Sequence, residues 1–485
     1  MAIHVDSFHL DDVRDSTLQH QIKRRVVEGI LSGQFRPGER MPSSRVLARH
    51  LGISRITVTI AYTDLVADDY LVARGRSGYF VSNSAPAAPQ FDPRPSETAN
   101  NVDWSRHLAR RGPEPMGIDR PSDWQTYAYP FVYGQTDRTL FDHQSWRLCA
   151  LQALGQKDFD ALTSDHYERD DPKLVEYIRR QILPRRGISA GPDNILITMG
   201  AQNALWMCAQ LLMTQRRVAA IENPGYPGLR QVLDQTRCRT ISVDVDDQGI
   251  PPAALPDDVD VVFATVSHQC PTNATMPLAR RQELLRLAAE RDFLIVEDDY
   301  EFELAFRHAP SPALKSLDKT GHVIHVGSFS KSLFPGLRLG FLVAPTAFVQ
   351  EARKLRTTVL RHPPGHIQRT AAYFMSLGHY DAQINRMRKA YERRRETMLT
   401  AIRDNGLTLA GPSDAGGSCF WLKAPAGMDT AELANRLYAR GVVIEPGHAF
   451  FDQDAPPNGF YRLAYSSISS AKITEGIRIL AEELA

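Results

Sequence analysis

The chain has 485 residues, and its 57 Lys and Arg side chains nearly balance its 56 Asp and Glu side chains, for a formal net charge of +1. This length exceeds one ordinary small domain, and the balanced charge excludes a chain that is basic or acidic throughout. No apolar run approaches the ~20 residues that span a bilayer, and the first residues lack the pattern of a signal peptide, so we expect a cytoplasmic protein without membrane segments.

Residues 13–82 predict a small DNA-binding domain. Lys and Arg outnumber Asp and Glu there by eleven to six, which is a modest attraction for phosphate backbones. An amphipathic helix over residues 22–31 precedes a turn, a short helix that stops at Gly52, and a second helix with Ser54 as its N-cap. Two short helices joined by a Gly-containing turn predict a helix-turn-helix whose second helix enters the major groove.

The start of that second helix and a following hairpin are the predicted DNA-contacting parts. The pattern of residues 70–81 predicts a hairpin, a wing that tracks the phosphate backbone or the minor groove. Arg55 and Thr57 are candidates for contact with either a base or a phosphate, and Arg45 is a candidate for phosphate contact. The full set of candidate DNA contacts is Arg45, Ser54, Arg55, Thr57, Arg74 and Arg76.

A linker is predicted over residues 83–124, because this segment is rich in Pro, Ala, Ser and Asn and has no sustained apolar period. One short helix is expected within it, beginning near Trp104. The remaining residues, 125–485, are predicted to form one large domain. The five cysteines of the chain are scattered without metal-ligand spacing, so we expect reduced thiols and no metal site.

The large domain first offers a phosphate site and an aromatic ring. Residues 195–212 predict a strand that runs into a helix through Gly200. The free N–H groups of Ala201 and Gln202, with the positive end of the helix dipole, suit a bound phosphate. Farther along, Tyr226 lies in a turn-rich segment and presents a ring that can stack on a flat cofactor.

Acidic residues then follow an apolar strand. The run over residues 293–296 is typical of a buried parallel strand, and ligands of open α/β sheets bind at the carboxyl ends of such strands. A cofactor that acts as an electron sink needs a carboxylate beside its ring nitrogen, and we assign Asp298 to this role. Tyr300 is assigned to the phenolic oxygen of the cofactor, while Asp299 and Glu301 remain open as helix caps.

The most informative string is VGSFSKSLFPGLRLG at residues 326–340, which predicts the lysine loop of a pyridoxal 5'-phosphate (PLP) protein. Partial burial lowers the pKa of a lysine amine, as Schiff-base formation by Lys331 requires. Ser328 and Arg338 are predicted to hold the cofactor phosphate, since the Arg fork binds phosphate in a bidentate manner. Ser330, in the same string, is also a candidate cofactor contact.

From about Tyr127 to the C-terminus, the chain resembles a fold-type I aminotransferase domain. The motifs TMGAQNAL, ENPGYP, SHQCPTN, VEDDY, SFSKSLFPGLRLG and YRLAYS occur in the order of that family. The resemblance implies that Arg462 grips a ligand carboxylate. Two positions depart from the family: Cys270 stands where an Asn contacts the phenolic oxygen of the cofactor, and Asn273 replaces a Gly. We therefore expect at most partial transamination.

Residues 13–82 resemble a GntR-type winged helix-turn-helix, and the combination of the two domains resembles the MocR/GabR class of bacterial regulators. The implied fold class is α/β, with the winged helix joined by a linker to the PLP domain. The resemblance also implies a head-to-tail homodimer and an external aldimine with an amino compound bound through Lys331. The resulting change would alter operator binding at genes of amino-compound, nitrogen or vitamin B6 metabolism.

Two alternatives remain open at this point. In the first, the chain is a working aminotransferase with an appended DNA-binding domain. In the second, it is a regulator for which PLP itself is the signal. The effector is also open, because GabR-like proteins carry an Arg in the turn after the stacking tyrosine, whereas Pro227 and Gly228 follow Tyr226 here. A grip of the GABA type is therefore not expected.

Overall fold

The computed structural model describes residues 2–10, 16–86, 102–108, 120–304, 311–412, 416–452 and 455–485, except the side chains of residues 160 and 161. The chain divides into two compact units, residues 1–110 and residues 111–485. Most of the predicted linker, residues 87–101 and 109–119, lies outside the described residues.

The described part of the first unit contains three helices, a two-stranded antiparallel hairpin and a further short helix. Their bounds are α1 Leu18–Leu31, α2 Ser44–Leu51, α3 Arg55–Ala67, β1 Leu71–Ala73, β2 Tyr79–Val81 and α4 Trp104–His107. The predicted helix-turn-helix is confirmed, and so are two of its signals. Gly52 ends α2 in the left-handed region at φ 66°, and the Ser54 hydroxyl accepts a hydrogen bond from the Ile56 amide at 3.2 Å.

The second unit is built on a seven-stranded sheet in the order β4-β10-β9-β8-β7-β5-β6. Six of its strands run in the same direction, and β10 runs antiparallel to both of its neighbours. The strands of this sheet are β4 Ile195–Thr198, β5 Val218–Asn223, β6 Arg239–Asp244, β7 Val261–Ala264, β8 Leu294–Asp299, β9 Val323–Ser328 and β10 Gly340–Val343. Strand β3, Tyr129–Pro130, precedes them in the chain and lies outside the sheet.

A smaller antiparallel sheet follows in the chain, with the order β11-β12-β15-β14, while β13 pairs with β3. The bounds are β11 Thr408–Leu409, β12 Cys419–Lys423, β13 Val442–Val443, β14 Glu445–Pro446 and β15 Phe460–Ala464. In this sheet Arg462 of β15 is the direct register partner of Glu445 on β14. Their side chains therefore meet on one face of the sheet.

Helices cover both faces of the seven-stranded sheet. Successive side chains of a strand point to opposite faces, and accordingly Ile195 and Ile197 of β4 join one apolar cluster, whereas Leu196 joins another. The helices of this unit are α5 His143–Ala153, α6 Gln156–Thr163, α7 Pro172–Tyr177, α8 Ala201–Leu212, α9 Pro227–Asp234, α10 Leu278–Arg291, α11 Leu314–Leu317, α12 Thr346–Leu360, α13 Gly365–Ser376, α14 His379–Asp404, α15 Thr430–Ala439 and α16 Ser470–Leu484. Among the described helices, none combines the length and apolarity needed to cross a membrane.

Candidate functional site

A cavity of about 300 Å³ lies in the second unit and includes residues at the carboxyl ends of β8 and β9. It is in the size range of small-molecule sites. The structure brings all ten predicted cofactor and ligand residues of this unit to its wall: Ala201, Gln202, Tyr226, Asp298, Tyr300, Ser328, Ser330, Lys331, Arg338 and Arg462. The role assigned to each of them stays a prediction.

Lys331 is held over an aromatic ring inside the cavity. Its Nζ atom lies 4.6 Å from the ring centroid of Tyr133. Burial lowers the pKa of Lys331 from its ordinary value, and the Glu301 charge opposes this shift. Gly134 leaves the space that the amine needs, because a Cβ atom there would lie 2.3 Å from Nζ. Burial thus shifts Lys331 toward the neutral amine, which is the nucleophilic form of lysine.

Asp298 presents a carboxyl oxygen without a partner. Its Oδ1 atom is buried and forms no hydrogen bond among the described residues. Burial, together with the charges of Asp299 and Glu222, raises the pKa of Asp298 to about 7. A buried acceptor of this kind is costly unless a donor reaches it. The unpaired oxygen therefore fits the protonated ring nitrogen that the sequence assigned to Asp298.

In the cofactor-free chain, Asp298 should contribute a loss of stability as the pH rises from about 4 to about 7. Asp298 has a folded-state pKa of about 7 against an ordinary value of 3.8, so the native state keeps its proton where the unfolded chain has lost it. Each pKa unit corresponds to about 1.4 kcal/mol. Urea unfolding at several pH values should show a less negative slope of stability against pH for Asp298→Asn than for the wild type. Glu222 contributes in the same direction as Asp298, because burial raises its pKa to about 7, and His268 opposes them, because burial lowers its pKa to about 4.

Asp257→Asn is the matched control for this series, because the Asp257 side chain is 97% exposed. It should reproduce the wild-type dependence on pH. An Asp298→Asn profile that superimposes on the wild-type profile would show that the folded chain does not perturb this carboxyl.

The phosphate end is formed by the start of α8 and by the lysine loop. Gly200 precedes α8 at φ 82°, and a Cβ atom in its place would lie 3.3 Å from Nη2 of Arg338. The same Nη2 atom donates a hydrogen bond to the Met199 carbonyl at 3.1 Å. The Ser330 amide donates to the Ser328 hydroxyl at 3.3 Å. An Arg fork beside a helix N-terminus is a suitable anion site.

The two predicted tyrosines are hydrogen-bonded within the protein. The Tyr300 hydroxyl donates to the His268 carbonyl at 2.9 Å, and the Tyr226 hydroxyl donates to Oε1 of Gln202 at 2.8 Å. These bonds fix both rings at the wall of the cavity. An oxygen of the cofactor would have to share the Tyr300 hydroxyl with the His268 carbonyl.

The structure gives a physical reason for one departure from the aminotransferase pattern. Asn273, which replaces a family Gly, lies in the left-handed region at φ 63°, where Asn is among the few side chains that are well tolerated. Its amide donates to the Cys419 carbonyl at 2.6 Å. At the other departure, burial raises the pKa of the Cys270 thiol to about 12, so this group stays neutral in the cavity wall.

Arg462 is not a free cation. Its Nε atom donates to Oε2 of Glu445 at 2.8 Å, and both side chains are almost completely buried. Oε1 of Glu445 lies 3.8 Å from Nη1 of Arg120, which also lines the cavity. Sequence reasoning missed Glu445, Arg120 and Tyr133. Only Tyr133 had a local signal, because it follows an apolar pair and precedes a glycine.

The predicted DNA contacts are on the surface of the first unit. Arg45, Arg55, Arg74 and Arg76 are exposed, and Thr57 is half-buried. Nε of Arg55 lies 3.4 Å from the Ser44 hydroxyl, which links the starts of α3 and α2. In the wing, Cζ of Arg74 lies 4.7 Å from the ring centroid of Phe80. Sequence reasoning missed Ile56, which is 70% exposed on α3 and free to contact thymine methyl groups.

Known proteins match both units. The family model for aminotransferase class I and II covers residues 150–480, and the model for bacterial regulatory proteins of the gntR family covers residues 18–81. An HTH-type transcriptional regulator of Rhodobacter capsulatus, TauR, is 59% identical over 484 residues, which is 100% of both chains.

Two solved aminotransferases share the fold of the second unit. The Pyrococcus horikoshii kynurenine aminotransferase, in complex with PMP, has a TM-score of 0.70 at 27% identity and covers 79% of this chain and 98% of its own. LysN of Thermus thermophilus, an alpha-aminoadipate aminotransferase complexed with N-(5'-phosphopyridoxyl)-L-leucine, has a TM-score of 0.69 at 26% identity with the same coverage.

Proposed function

Because the chain belongs to the MocR/GabR class of transcriptional regulators, in which a GntR-type helix-turn-helix domain is joined to an aminotransferase-like domain, we propose that it binds PLP and operator DNA and senses an amino compound. One observation carries this proposal. A single cavity contains both the Lys331 amine and the unpartnered carboxyl oxygen of Asp298. These are the two groups that a PLP ring needs at its aldehyde and at its nitrogen.

Different residues of the chain would bind different parts of the cofactor. PLP supplies an aldehyde that reacts with amines and a ring that withdraws electrons when its nitrogen is protonated. Lys331 would bind the aldehyde carbon, and Asp298 would hold the proton at the ring nitrogen. Arg338 and the N-terminus of α8 would bind the phosphate, and Tyr226 would cover the ring.

The effector would react at the end of the cavity where Lys331 and Arg462 both approach Tyr133. Nζ of Lys331 and Cζ of Arg462 lie 4.6 Å and 4.0 Å from the same ring centroid. The effector would be a small compound whose amine lies at the Lys331 end and whose acid group contacts Arg462. Its differential affinity for two states of the chain would then shift the equilibrium of operator binding, typically by about 1–3 kcal/mol.

The experiment is an operator titration by fluorescence anisotropy with PLP-loaded protein, with and without taurine, β-alanine or 4-aminobutyrate. At least one amine should shift both the operator affinity and the absorbance of the bound cofactor. Sustained turnover with a keto acid, without any shift in operator affinity, would overturn the regulator proposal in favour of an aminotransferase. A shift caused by PLP alone would identify the cofactor as the signal.

We also propose that the chain acts in the cytoplasm as a head-to-tail homodimer, as its resemblance to fold-type I proteins implies. The chain mass is 54.3 kDa, so light scattering of the purified protein should give about twice that value. A monomer mass at micromolar concentration would contradict the dimer and leave the rest of the proposal standing.

Arg55→Ala should weaken operator binding and leave the cofactor absorbance unchanged. Arg55 is the exposed first residue of α3, in a unit separate from the cavity. If Arg55 reads a guanine, the loss should be about 1–3 kcal/mol on the specific site; if it binds a phosphate, the salt slope should fall by about one on every sequence. Anisotropy titrations at several salt concentrations separate these outcomes.

Arg478→Ala is the control, because it removes the same charge from an exposed position on α16 in the other unit. Operator affinity should be unchanged in this variant. Wild-type affinity in Arg55→Ala as well would exclude both DNA roles for Arg55.

A further inference from the structure

The acid-binding end of the cavity is already partly neutralised by the protein. Glu445 and Arg462 are paired across β14 and β15, and Oε2 of Glu445 accepts from Nε of Arg462 at 2.8 Å. The two side chains are 1% and 2% exposed. Because both charges are buried and in contact, the net charge of the pair is zero before any ligand enters.

Arg462 also contacts two aromatic rings. Its Cζ atom lies 4.0 Å from the ring centroid of Tyr133 and 4.7 Å from that of Phe450. These contacts restrict the guanidinium plane, so the group cannot turn away from Glu445 without losing two cation–π contacts. Among the described residues, the partner recorded for Nη1 is the Cys270 sulfur at a long distance, 3.9 Å, which leaves this part of the fork for a ligand.

The second oxygen of Glu445 faces a different partner. Oε1 is buried and accepts no hydrogen bond among the described residues. Nη1 of Arg120 lies 3.8 Å from Oε1, and the Arg120 side chain is 34% exposed. Arg120, Glu445 and Arg462 all line the same cavity. This charge cluster has two cations and one carboxylate, so its formal charge is +1.

We propose that Glu445 determines which effectors the cavity accepts by their charge. The cluster of Arg120, Glu445 and Arg462 accepts an amino compound with one acid group and rejects one with two. A single anionic group balances the cluster. A second carboxylate would be desolvated close to Oε1 of Glu445, which accepts no hydrogen bond among the described residues, and like charges placed together in this way weaken binding. The inference rests on the proposed function, because it names the class of effector for the same cavity.

The test uses pairs of ligands that differ by one carboxylate. L-Aspartate is β-alanine with an added carboxylate, and L-glutamate is related to 4-aminobutyrate in the same way. Dissociation constants are measured on PLP-loaded protein from the cofactor absorbance. Calorimetry with propionate and succinate, which have no amine, gives a second readout that does not depend on reaction with the cofactor.

In the wild type, we expect each monoacid to bind at least about tenfold more tightly than its diacid partner. Glu445→Gln should remove most of this preference, because Gln keeps an oxygen that can accept from Nε of Arg462 but has no charge. Glu432→Gln, at an exposed position of α15, is the matched control and should keep the wild-type preference. Equal binding of mono- and diacids to the wild type, or an unchanged preference in Glu445→Gln, would overturn the proposal.

If Glu445→Gln does not fold, Arg120→Gln provides the second variant, since Arg120 is partly exposed and the change brings the cluster to zero charge. Propionate and β-alanine should then bind at least about tenfold more weakly, and unaltered affinity would overturn the proposal. Failure of the proposed function looks different. In that case no amine changes the cofactor absorbance or operator binding, although propionate is still preferred to succinate.

Discussion

Replacing Lys331 with Ala should abolish the covalent link to PLP and, with it, the absorbance band of the lysine-bound cofactor. Lys331 lies on the cavity wall, and its amine lies against Tyr133 with a pKa lowered by burial. Alanine cannot form the bond, so the loss should be complete rather than partial. Absorbance spectra of the PLP-loaded wild type and variant measure it directly.

Two controls make this result specific. Lys354→Ala removes an exposed lysine of α12 and should leave the spectrum unchanged. In Lys331→Ala, added methylamine should restore an imine band, because the truncated side chain leaves room in the cavity and the phosphate end remains intact. A wild-type spectrum in Lys331→Ala would show that another group binds the cofactor.

The residues that sequence reasoning identified lie in short, continuous strings. Lys331, Ser328 and Arg338 lie within one short string, whose turn residues and spacing form a recognisable motif. Asp298 follows an apolar strand, and the carboxyl ends of parallel strands meet at one edge of the sheet. Local pattern therefore placed these groups in the same cavity, where the structure has them.

The residues that sequence reasoning missed depend on register and on long-range packing. Glu445 contacts Arg462 only because two-residue β14 pairs with β15 in one register, and a slip by one residue would turn the side chain to the other face. Nothing in a two-residue strand specifies that register in advance. Arg120 lies in a segment without apolar period, so its place at the cavity had no local signal.

Because Arg462 is paired with Glu445, its replacement should lower the stability of the fold as well as ligand binding. The resemblance to aminotransferases implies only that this side chain grips a ligand carboxylate. In the structure, Arg462→Ala leaves the Glu445 carboxylate buried without its main partner. Removal of one member of a buried ion pair typically costs about 3–5 kcal/mol, so urea unfolding should show a loss of this size.

The double variant Arg462→Met, Glu445→Leu separates stability from sensing. Replacement of a whole buried pair by apolar side chains is often neutral for stability, so the double variant should recover most of the free energy of unfolding. Its basal operator affinity should equal that of the wild type, since both changes lie in the unit without the helix-turn-helix. The effector response should remain absent, because the acid group of the ligand has lost its main cation.

Operator titrations with and without β-alanine, on the wild type and both variants, distinguish the roles. Loss of the response in the single variant alone, with recovery in the double variant, would make Arg462 a structural residue. An undiminished response in both variants would show that the acid group of the effector binds elsewhere in the cavity, where Arg120 is the remaining cation of the cluster. Loss in both, with stability restored in the double variant, is the outcome expected if Arg462 holds the effector.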